Sequence, residues 1–228
     1  MVGPTDNETL RGIDTAEYGR MTWPFGDLRP GSYDVAVVDW PWAFASNSKA
    51  KPGRNARRHY PTLKPKQAPE YPIGELLKPD AEVFFWITTP FYVAGAHLPM
   101  FKAWGLKPCA QAFTWVKLRP NATPLFFMEQ DLHVGPGFTT RKNTEVCLLA
   151  RPKRGKSIRL SKKVHEVIFA PLREHSRKPE QSRDRIEEYV GPGRRVVELF
   201  CREKRPPKIV DCWDVWDNEV TKFDKPEV

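Results

Sequence analysis

An almost unbroken apolar run at Tyr33–Asp39 is the feature that most restricts the fold of this chain. Valine and alanine in an unbroken run are typical of strands that are buried on both faces of a parallel sheet. The run ends at Trp40-Pro41-Trp42, because a proline cannot donate the next hydrogen bond of a β-ladder. We therefore predict a buried parallel strand that ends at residue 39.

Further strand and helix patterns follow this run at intervals that favour an α/β fold. Strand patterns occur at 82–88, 109–117, 145–150, 165–170, 196–200 and 208–216. One helix is predicted from Pro90 to about 104 and a second from Pro179 to 190, with Gly105 and Gly191 where each would end. We expect a mostly parallel central sheet with helices on both faces.

The length and composition suit one sizeable domain. The chain has 228 residues, of which 40% are hydrophobic. We assign residues 1–30 to an N-terminal arm, 31–222 to the domain and 223–228 to a C-terminal tail. The sequence contains no run of about 18 apolar residues that would predict a membrane span, and the N-terminus lacks the apolar stretch of a secretory signal. We therefore expect a cytoplasmic location.

The charge balance points to a polyanionic partner. The sequence has 37 lysines and arginines against 28 acidic residues, a net charge of +9. Basic proteins are attracted to polyanions, and no basic amphipathic helix favours a membrane surface. Nucleic acid is therefore the expected partner.

Cysteine and histidine spacing gives no indication of a metal. The four cysteines, at 109, 147, 201 and 212, form no C-x-x-C pair and lie in apolar or strand-like stretches. We predict reduced thiols in the core and no bound metal.

The tetrapeptide Asp39-Trp40-Pro41-Trp42 has the groups that methylation of an adenine amine requires. In an open α/β sheet, ligands bind at the carboxyl ends of strands, where this segment would lie. The amine lone pair is delocalised into the ring, so a catalyst must hold both amine hydrogens with acceptors. The Asp39 carboxylate and the Trp40 carbonyl could accept them, Pro41 would stiffen the turn, and Trp42 would stack on the extruded base. The alternative is a proline turn whose tryptophans only fill the core.

The tetrapeptide resembles the D-P-P-W signature of the adenine-N6 methyltransferase family, which includes the catalytic subunit of the eukaryotic messenger-RNA m6A writer and smaller bacterial and phage members. Six further blocks resemble family motifs in the same order: 59–63 (HYPTL), 85–88 (FWIT), 115–117 (WVK), 173–180 (REHSRKPE), 192–200 (PGRRVVELF) and 213–219 (WDVWDNE). The resemblance implies a Rossmann-like fold with the β-type motif order, S-adenosylmethionine as cofactor, and transfer to the N6 amine of adenine.

The resemblance also implies a set of cofactor-binding residues: Lys178, Glu198, Phe200, Arg202, Asn218 and Glu219. Lys178 corresponds to the family lysine that meets the methionine carboxylate. Glu198 could instead pair with Arg194 or Arg195. Trp40 and Asp217 depart from the family pattern, which has proline and glycine there. We expect Trp40 to loosen the turn and to add bulk near the base.

Substrate binding is predicted for Arg57, Arg58, His59, Tyr60 and Lys117, and for the basic segments 49–58 and 151–163. The alternative for 151–163 is a solvated charged loop, and the alternative for His59 and Tyr60 is a surface Tyr-Pro turn. DNA is the predicted polymer and RNA the alternative. A non-catalytic nucleic-acid-binding subunit, or an enzyme that methylates a small molecule or protein, remains open. A homodimer or a heterodimer with a related subunit is a hypothesis.

Overall fold

Seven strands form one sheet in the described part of the chain, which in this computed structural model comprises residues 23–43, 62–123, 125–135, 139–174, 177–201 and 203–217. The strands are β1 (Tyr33–Asp39), β2 (Leu77–Ile87), β3 (Leu106–Leu118), β4 (Thr144–Pro152), β5 (Val167–Pro171), β6 (Arg195–Leu199) and β7 (Cys212–Trp216). Their order is β5-β3-β4-β2-β1-β6-β7. Only β4 runs antiparallel to its neighbours, so the prediction of a mostly parallel sheet is confirmed.

Side-chain alternation divides the strand residues between two cores. In β1, Ala36 and Val38 pack on one face of the sheet, and Val35 and Val37 on the other. We call these the first face and the second face. The helices α1 (Thr89–Val93) and α2 (His97–Ala103) follow β2, and Met100 and Phe101 of α2 lie in the first core. Helix α3 (Glu180–Val190) buries Ile186 and Val190 in the second core. Helices on both faces are therefore confirmed.

The helix predicted from residue 90 to about 104 is wrong as a single element. The chain forms α1 and α2 instead, and Gly95 lies between them with a φ of +67°. The Gly95 N–H donates to the Tyr92 carbonyl at 2.9 Å, which closes a turn that a β-carbon would strain. Pro179 is the residue before α3 and not its first helical residue.

Two smaller expectations also need correction. The last strand begins at Cys212 and not at 208, because the N–H groups of Lys208 and Val210 donate to the Glu187 carboxylate, at 2.8 and 3.3 Å, and not to a ladder. Cys109 is exposed, so the prediction of buried thiols holds only for Cys147 and Cys201.

Three 3₁₀ turns complete the described elements, at Pro65–Glu70, Ile73–Leu76 and Glu129–Asp131. Residues 23–30 lie partly in the core, since Phe25 is fully buried beside Trp216. The domain boundaries stay predictions. No described helix is long and apolar enough to cross a membrane.

The antiparallel β4 determines which segments meet at each end of the sheet. The carboxyl ends of the six parallel strands lie at one edge, together with the first residues of β4. We call this the carboxyl edge and the opposite one the amino edge. From β1 the chain proceeds to β2 on one side and reaches β6 on the other side much later, so the strand order reverses between β1 and β6. Ligands of open α/β sheets bind at such a point, outside the carboxyl ends.

Candidate active site

The turn after β1 places the predicted catalytic residues at the carboxyl edge. The Trp42 N–H donates to the Trp40 carbonyl at 2.9 Å and closes a three-residue turn around Pro41. Proline suits this position, because its ring fixes φ near the value that the turn needs. The Leu63 N–H donates to the Pro41 carbonyl at 2.7 Å and fastens the turn from outside. Asp39 therefore lies between a central strand and a rigid turn.

The side chain of Trp40 packs in the first core. It is 1% exposed and makes ring contacts with Tyr71, Trp104 and Phe200 at centroid distances of 5.8, 5.8 and 5.2 Å. Alternation along the chain explains this, because successive residues point to opposite faces. Trp40 shares the first core with Trp42, and the expectation that Trp40 loosens the turn and adds bulk near the base stays a prediction.

Trp42 is also buried. Its side chain is 3% exposed, and one ring face is stacked on Phe91 at a centroid distance of 4.3 Å. The indole N–H has no hydrogen-bond partner among the described residues. The free stacking face that the sequence predicted is therefore covered in this structure, and the role of Trp42 toward a base stays a prediction.

Four charged side chains, including that of Asp39, form a continuous chain of ion pairs at the carboxyl edge. The Lys178 Nζ lies 2.7 Å from the Asp39 Oδ2 and 3.2 Å from the Glu145 Oε1. The Lys117 Nζ lies 2.7 Å from the Glu145 Oε2. We call these four residues the carboxylate–lysine chain. Its two carboxylates and two ammonium groups balance one another.

Strand register explains how these residues meet. Asp39 pairs with Trp86, and Glu145 pairs with Trp115 two strands away. These strand residues all lie on the second face of the sheet, where α3 also packs. The ammonium of Lys178 lies 5.7 Å from the centre of the Trp86 ring, so the tryptophan forms the floor beneath it.

Burial strengthens the electrostatic interactions within the carboxylate–lysine chain. The side chain of Glu145 is 7% exposed and that of Lys178 is 11% exposed. Although burial alone would raise the pKa of Glu145, the ammonium groups of Lys117 and Lys178 lower it to about 2. Glu145 therefore stays ionised at neutral pH. The thiol of Cys147 lies in the same strand, and burial raises its pKa, so it stays neutral.

The loop between β5 and α3 holds Lys178 in place. The guanidinium of Arg173 donates to the Lys178 carbonyl at 2.6 Å and pairs with Glu180, the first residue of α3, at 3.1 Å. The main chain before α3 is thereby fixed, and the lysine side chain points to the strand ends.

Glu145 is the site residue that sequence reasoning missed. The sequence places it at the start of a strand whose next residues are apolar, which gives it no distinction. Only the antiparallel direction of β4 brings its first residues to the carboxyl edge. An acidic residue before an apolar run was the available signal, but its use required the sheet order.

The crevice between β1 and β6 contains a second unusual feature. Phe200 follows β6 with a φ of +62°, a left-handed conformation that is rare for a bulky residue. Its N–H donates to the Trp216 carbonyl at 2.8 Å, and its ring packs against Trp40. Such strain persists only where surrounding contacts impose it, and it concentrates at ligand sites.

Glu198 is held within the second core. Its Oε2 accepts from the Arg183 Nε at 2.9 Å and from the Trp213 Nε1 at 2.9 Å. Arg183 belongs to α3, so the partner is neither Arg194 nor Arg195. The predicted contact of Glu198 with a cofactor stays a prediction, and it would have to compete with this pair.

An open groove of about 560 Å³ lies beyond Lys117. Its lining includes Arg119, His133, Arg141 and Asn143. Burial and the neighbouring Lys117 ammonium lower the pKa of His133, so the charged groups of the groove are Arg119 and Arg141, with Glu129 as the one acidic residue in its described lining.

A comparison with known protein families identifies the family of this chain. The MT-A70 family model matches residues 33–219, which include β1, the carboxylate–lysine chain and β7. The chain belongs to the MT-A70 family. The predicted resemblance to adenine-N6 methyltransferases is thereby confirmed.

Named relatives of this MT-A70 chain include three distinct proteins. The N6-methyladenosine RNA methyltransferase MTA1 of Cryphonectria parasitica is 29% identical over 206 residues, which cover 86% of this chain and 54% of the relative. The N(6)-adenine-specific methyltransferase METTL4 of Homo sapiens is 28% identical over 84% of this chain and 38% of its own length. The Type II methyltransferase M.MunI of Mycoplasma sp is 24% identical over 86% of this chain and 81% of the relative. The chain thus spans about half or less of the first two.

Among the predicted site residues of this MT-A70 chain, the structure brings Asp39, Lys178 and Lys117 together and adds Glu145. The remaining predictions at Arg57, Arg58, His59, Tyr60, Arg202, Asn218 and Glu219 lie outside the described residues. The basic segment 151–163 begins at the amino edge, because β4 ends there. It therefore starts at the opposite edge from Asp39.

Proposed function

We propose that this chain transfers a methyl group from S-adenosylmethionine to the N6 amine of adenine in DNA, with RNA as the second candidate. The observation that carries the proposal is the position of the Asp39 carboxylate. It lies at the carboxyl edge, next to the point where strand order reverses, and is held by Lys178 at 2.7 Å. Membership in the MT-A70 family and the names of the relatives support the reaction type.

Hydrogen-bond acceptors are the main requirement of this chemistry. The amine must be held by both hydrogens so that its lone pair turns away from the ring. Asp39 would accept one hydrogen. The Trp40 carbonyl already accepts the Trp42 N–H, but a carbonyl oxygen has two lone pairs, and the second could take the other hydrogen.

The donor set beside the crevice suits the cofactor. The ammonium of Lys178 complements the carboxylate of the amino acid part of the cofactor. Lys178 and the strained Phe200 would hold the two ends of the ligand. When bound, S-adenosylmethionine supplies an electrophilic methyl group on a positively charged sulfur.

The residues of this chain would act by position and charge. The amine nitrogen forms the new N–C bond as the methyl–sulfur bond breaks, and positive charge passes to the nitrogen. The Asp39 carboxylate stabilises that charge, and one proton then leaves the amine. Most of the rate gain would come from orientation and from charges arranged in advance.

A base that stacks on Trp42 would first have to displace Phe91. The stacked ring covers the tryptophan face, while the indole N–H beside it has no partner in the described part of the chain. A buried donor without a partner costs about 1–3 kcal/mol, so opening this contact recovers part of what stacking loses. We propose that substrate entry moves α1, which carries Phe91.

The groove beyond Lys117 favours a polymer over a small molecule. A free nucleoside would not need an arginine-lined groove of about 560 Å³ beside the site. We rank DNA before RNA because the match to the Type II methyltransferase covers most of both chains, while the relative named as an RNA methyltransferase is covered over 54% of its length.

Methyl transfer to matched oligonucleotides tests the proposal. Labelled S-adenosylmethionine is incubated with single- and double-stranded DNA and RNA of one sequence, and the products are digested to nucleosides. N6-methyladenine from the DNA arms is the expected result. Label in the RNA arms alone would make RNA the substrate. Cofactor binding without transfer to any arm would indicate a missing partner or an untested substrate. Absence of both cofactor binding and transfer would favour a non-catalytic subunit, and label in a nucleoside other than N6-methyladenine would overturn the reaction.

A further inference from the structure

The segment after β4 presents a row of exposed cations at the amino edge. Six side chains make up what we call the basic ridge: Lys153, Arg154, Lys156, Arg159, Lys162 and Lys163. Each is exposed, and none of the six forms an ion pair with any other described residue. Two carboxylates accept hydrogen bonds from this segment, Asp80 from the Lys156 N–H and Glu188 from the Ser161 hydroxyl, but neither forms an ion pair with a cation of the ridge.

Hydrogen bonds from the main chain and from a serine fix the backbone of the basic ridge. The Lys156 N–H donates to the Asp80 carboxylate at 2.9 Å, and the Leu160 N–H donates to the Tyr189 carbonyl at 2.7 Å. Ser157 donates to the Glu82 carboxylate at 2.8 Å, and Glu82 is fully buried. A merely solvated loop would not need an anchor on a buried carboxylate. The ridge is therefore a constructed feature of the fold.

Every third residue of the ridge points inward. Gly155 is buried, and a β-carbon there would lie 2.8 Å from the Pro79 carbonyl oxygen. Ile158 and Val164 pack against the second core, and Ser161 is half-buried between them. The intervening positions contain the cations. This spacing keeps the six charged groups on one side of the segment.

Holding six like charges within eleven residues is unfavourable without a counter-charge. Charges that lie within a Debye length of about 8 Å at physiological salt repel each other with little screening. The anchors prevent the segment from spreading to relieve this repulsion. A polyanion would relieve it and would release counterions from its own backbone.

We propose that the basic ridge binds the phosphodiester backbone of the nucleic acid substrate, at a distance from the target adenine. This inference rests on the proposed function and adds a second contact to it. Strand β1 has seven residues and spans about 20 Å from one edge to the other. That span equals about six base pairs at 3.4 Å each. The edge strand β5 connects the end of the ridge to the loop that carries Lys178, which gives the polymer a path along the molecule.

Substrate length is the variable that separates this contact from the active site. The test variant is Lys156→Gln/Lys162→Gln. The matched control is Lys66→Gln/Lys102→Gln, which removes two exposed lysines from the first face. Binding of duplexes of about 30 and about 6 base pairs is measured against salt without S-adenosylmethionine, and KM and kcat are measured with it.

The test variant should weaken binding of the long duplex about ten-fold or more. The slope of log affinity against log salt concentration should become shallower by about 2, since each phosphate contact contributes about 0.9 to it. The short duplex, the control variant and kcat should be unaffected. Lys156→Arg/Lys162→Arg should bind like the parent chain. Equal losses of affinity for the long and the short duplex, or equal losses in the test and the control variant, would overturn the inference.

The binding arm distinguishes failure of this inference from failure of the proposed function. A length-dependent loss of binding supports the ridge contact even if no methyl transfer is detected. Normal transfer with unchanged long-duplex binding would overturn the ridge contact alone. Vesicles of neutral lipid with about 30% phosphatidylserine are the competing polyanion. Binding to these vesicles that depends on the ridge, without any effect on duplex binding, would also overturn the proposal.

Discussion

The two edges of the sheet carry their charges in opposite ways. At the carboxyl edge, Asp39 and Glu145 alternate with Lys178 and Lys117 in a half-buried chain of ion pairs. At the amino edge, the cations of the basic ridge are exposed and lack ion pairs within the described residues. Buried pairs orient side chains for chemistry, whereas exposed cations that are held in place attract a counter-charge. The charged side chains at the two edges therefore serve two different purposes.

The largest effect is expected at Asp39, and β1 itself offers a control. Asp34, at the other end of this strand, is paired with Lys78 at 2.7 Å and with Arg194 at 3.3 Å. Asp39→Asn should reduce kcat at least about 10³-fold, because it removes an acceptor and a charge at the reacting nitrogen. Cofactor affinity should stay within a few-fold. Asp34→Asn should lower stability while kcat per folded molecule stays near the parent value.

These two variants are compared by single-turnover methyl transfer and by calorimetric titration of the cofactor. Near-normal transfer by Asp39→Asn would contradict the site assignment. An equal loss of kcat from both substitutions would mean that the carboxyl edge and the amino edge do not differ in their role in methyl transfer.

The second largest effect concerns stability. Trp40→Pro restores the usual family residue but removes a fully buried ring, so it should cost about 3–5 kcal/mol in the free energy of unfolding. Trp40→Phe should cost less. The midpoint of urea denaturation measures both. Since the backbone carbonyl remains, kcat of folded protein should change little, and an unchanged midpoint would contradict the burial of Trp40.

Sequence patterns predicted the strands but not the environment of each side chain. The apolar run at Tyr33–Asp39 has the same bounds as β1, because a strand buried on both faces needs apolar residues throughout. Asp39 was predicted from its position after this strand and from the chemistry of the amine, and Lys178 from motif resemblance. Glu145 could not be predicted, because its position at the carboxyl edge depends on the direction of β4. The burial of Trp40 was not predicted either, because the face that a side chain occupies depends on register.

The third prediction tests the pairing at the carboxyl edge through pH. Glu145→Gln should reduce stability by about 3 kcal/mol at neutral pH, because it leaves two buried ammonium groups with less compensation. The folded-state pKa of Glu145, about 2, lies below its ordinary value of 4.5, so the fold favours the ionised form. Its contribution is complete above pH 4.5 and is lost as the pH falls toward 2.

Urea denaturation of Glu145→Gln and the parent chain at several pH values checks this dependence. The difference between them should shrink as the pH falls from about 4.5. A difference that stays constant with pH would mean that Glu145 contributes through packing and not through its charge.

The smallest effect is expected at the amino edge and completes the comparison. Exposed charges without partners contribute little to folding, so Lys156→Gln/Lys162→Gln should change the free energy of unfolding by less than about 0.5 kcal/mol. The sign should be stabilising at low salt, because two like charges are removed from a repelling row, and the gain should vanish as salt screens the row. Thermal denaturation at two salt concentrations measures it. A destabilisation of 1 kcal/mol or more would mean that these lysines are part of the folded network, and the contrast between the two edges would then be lost.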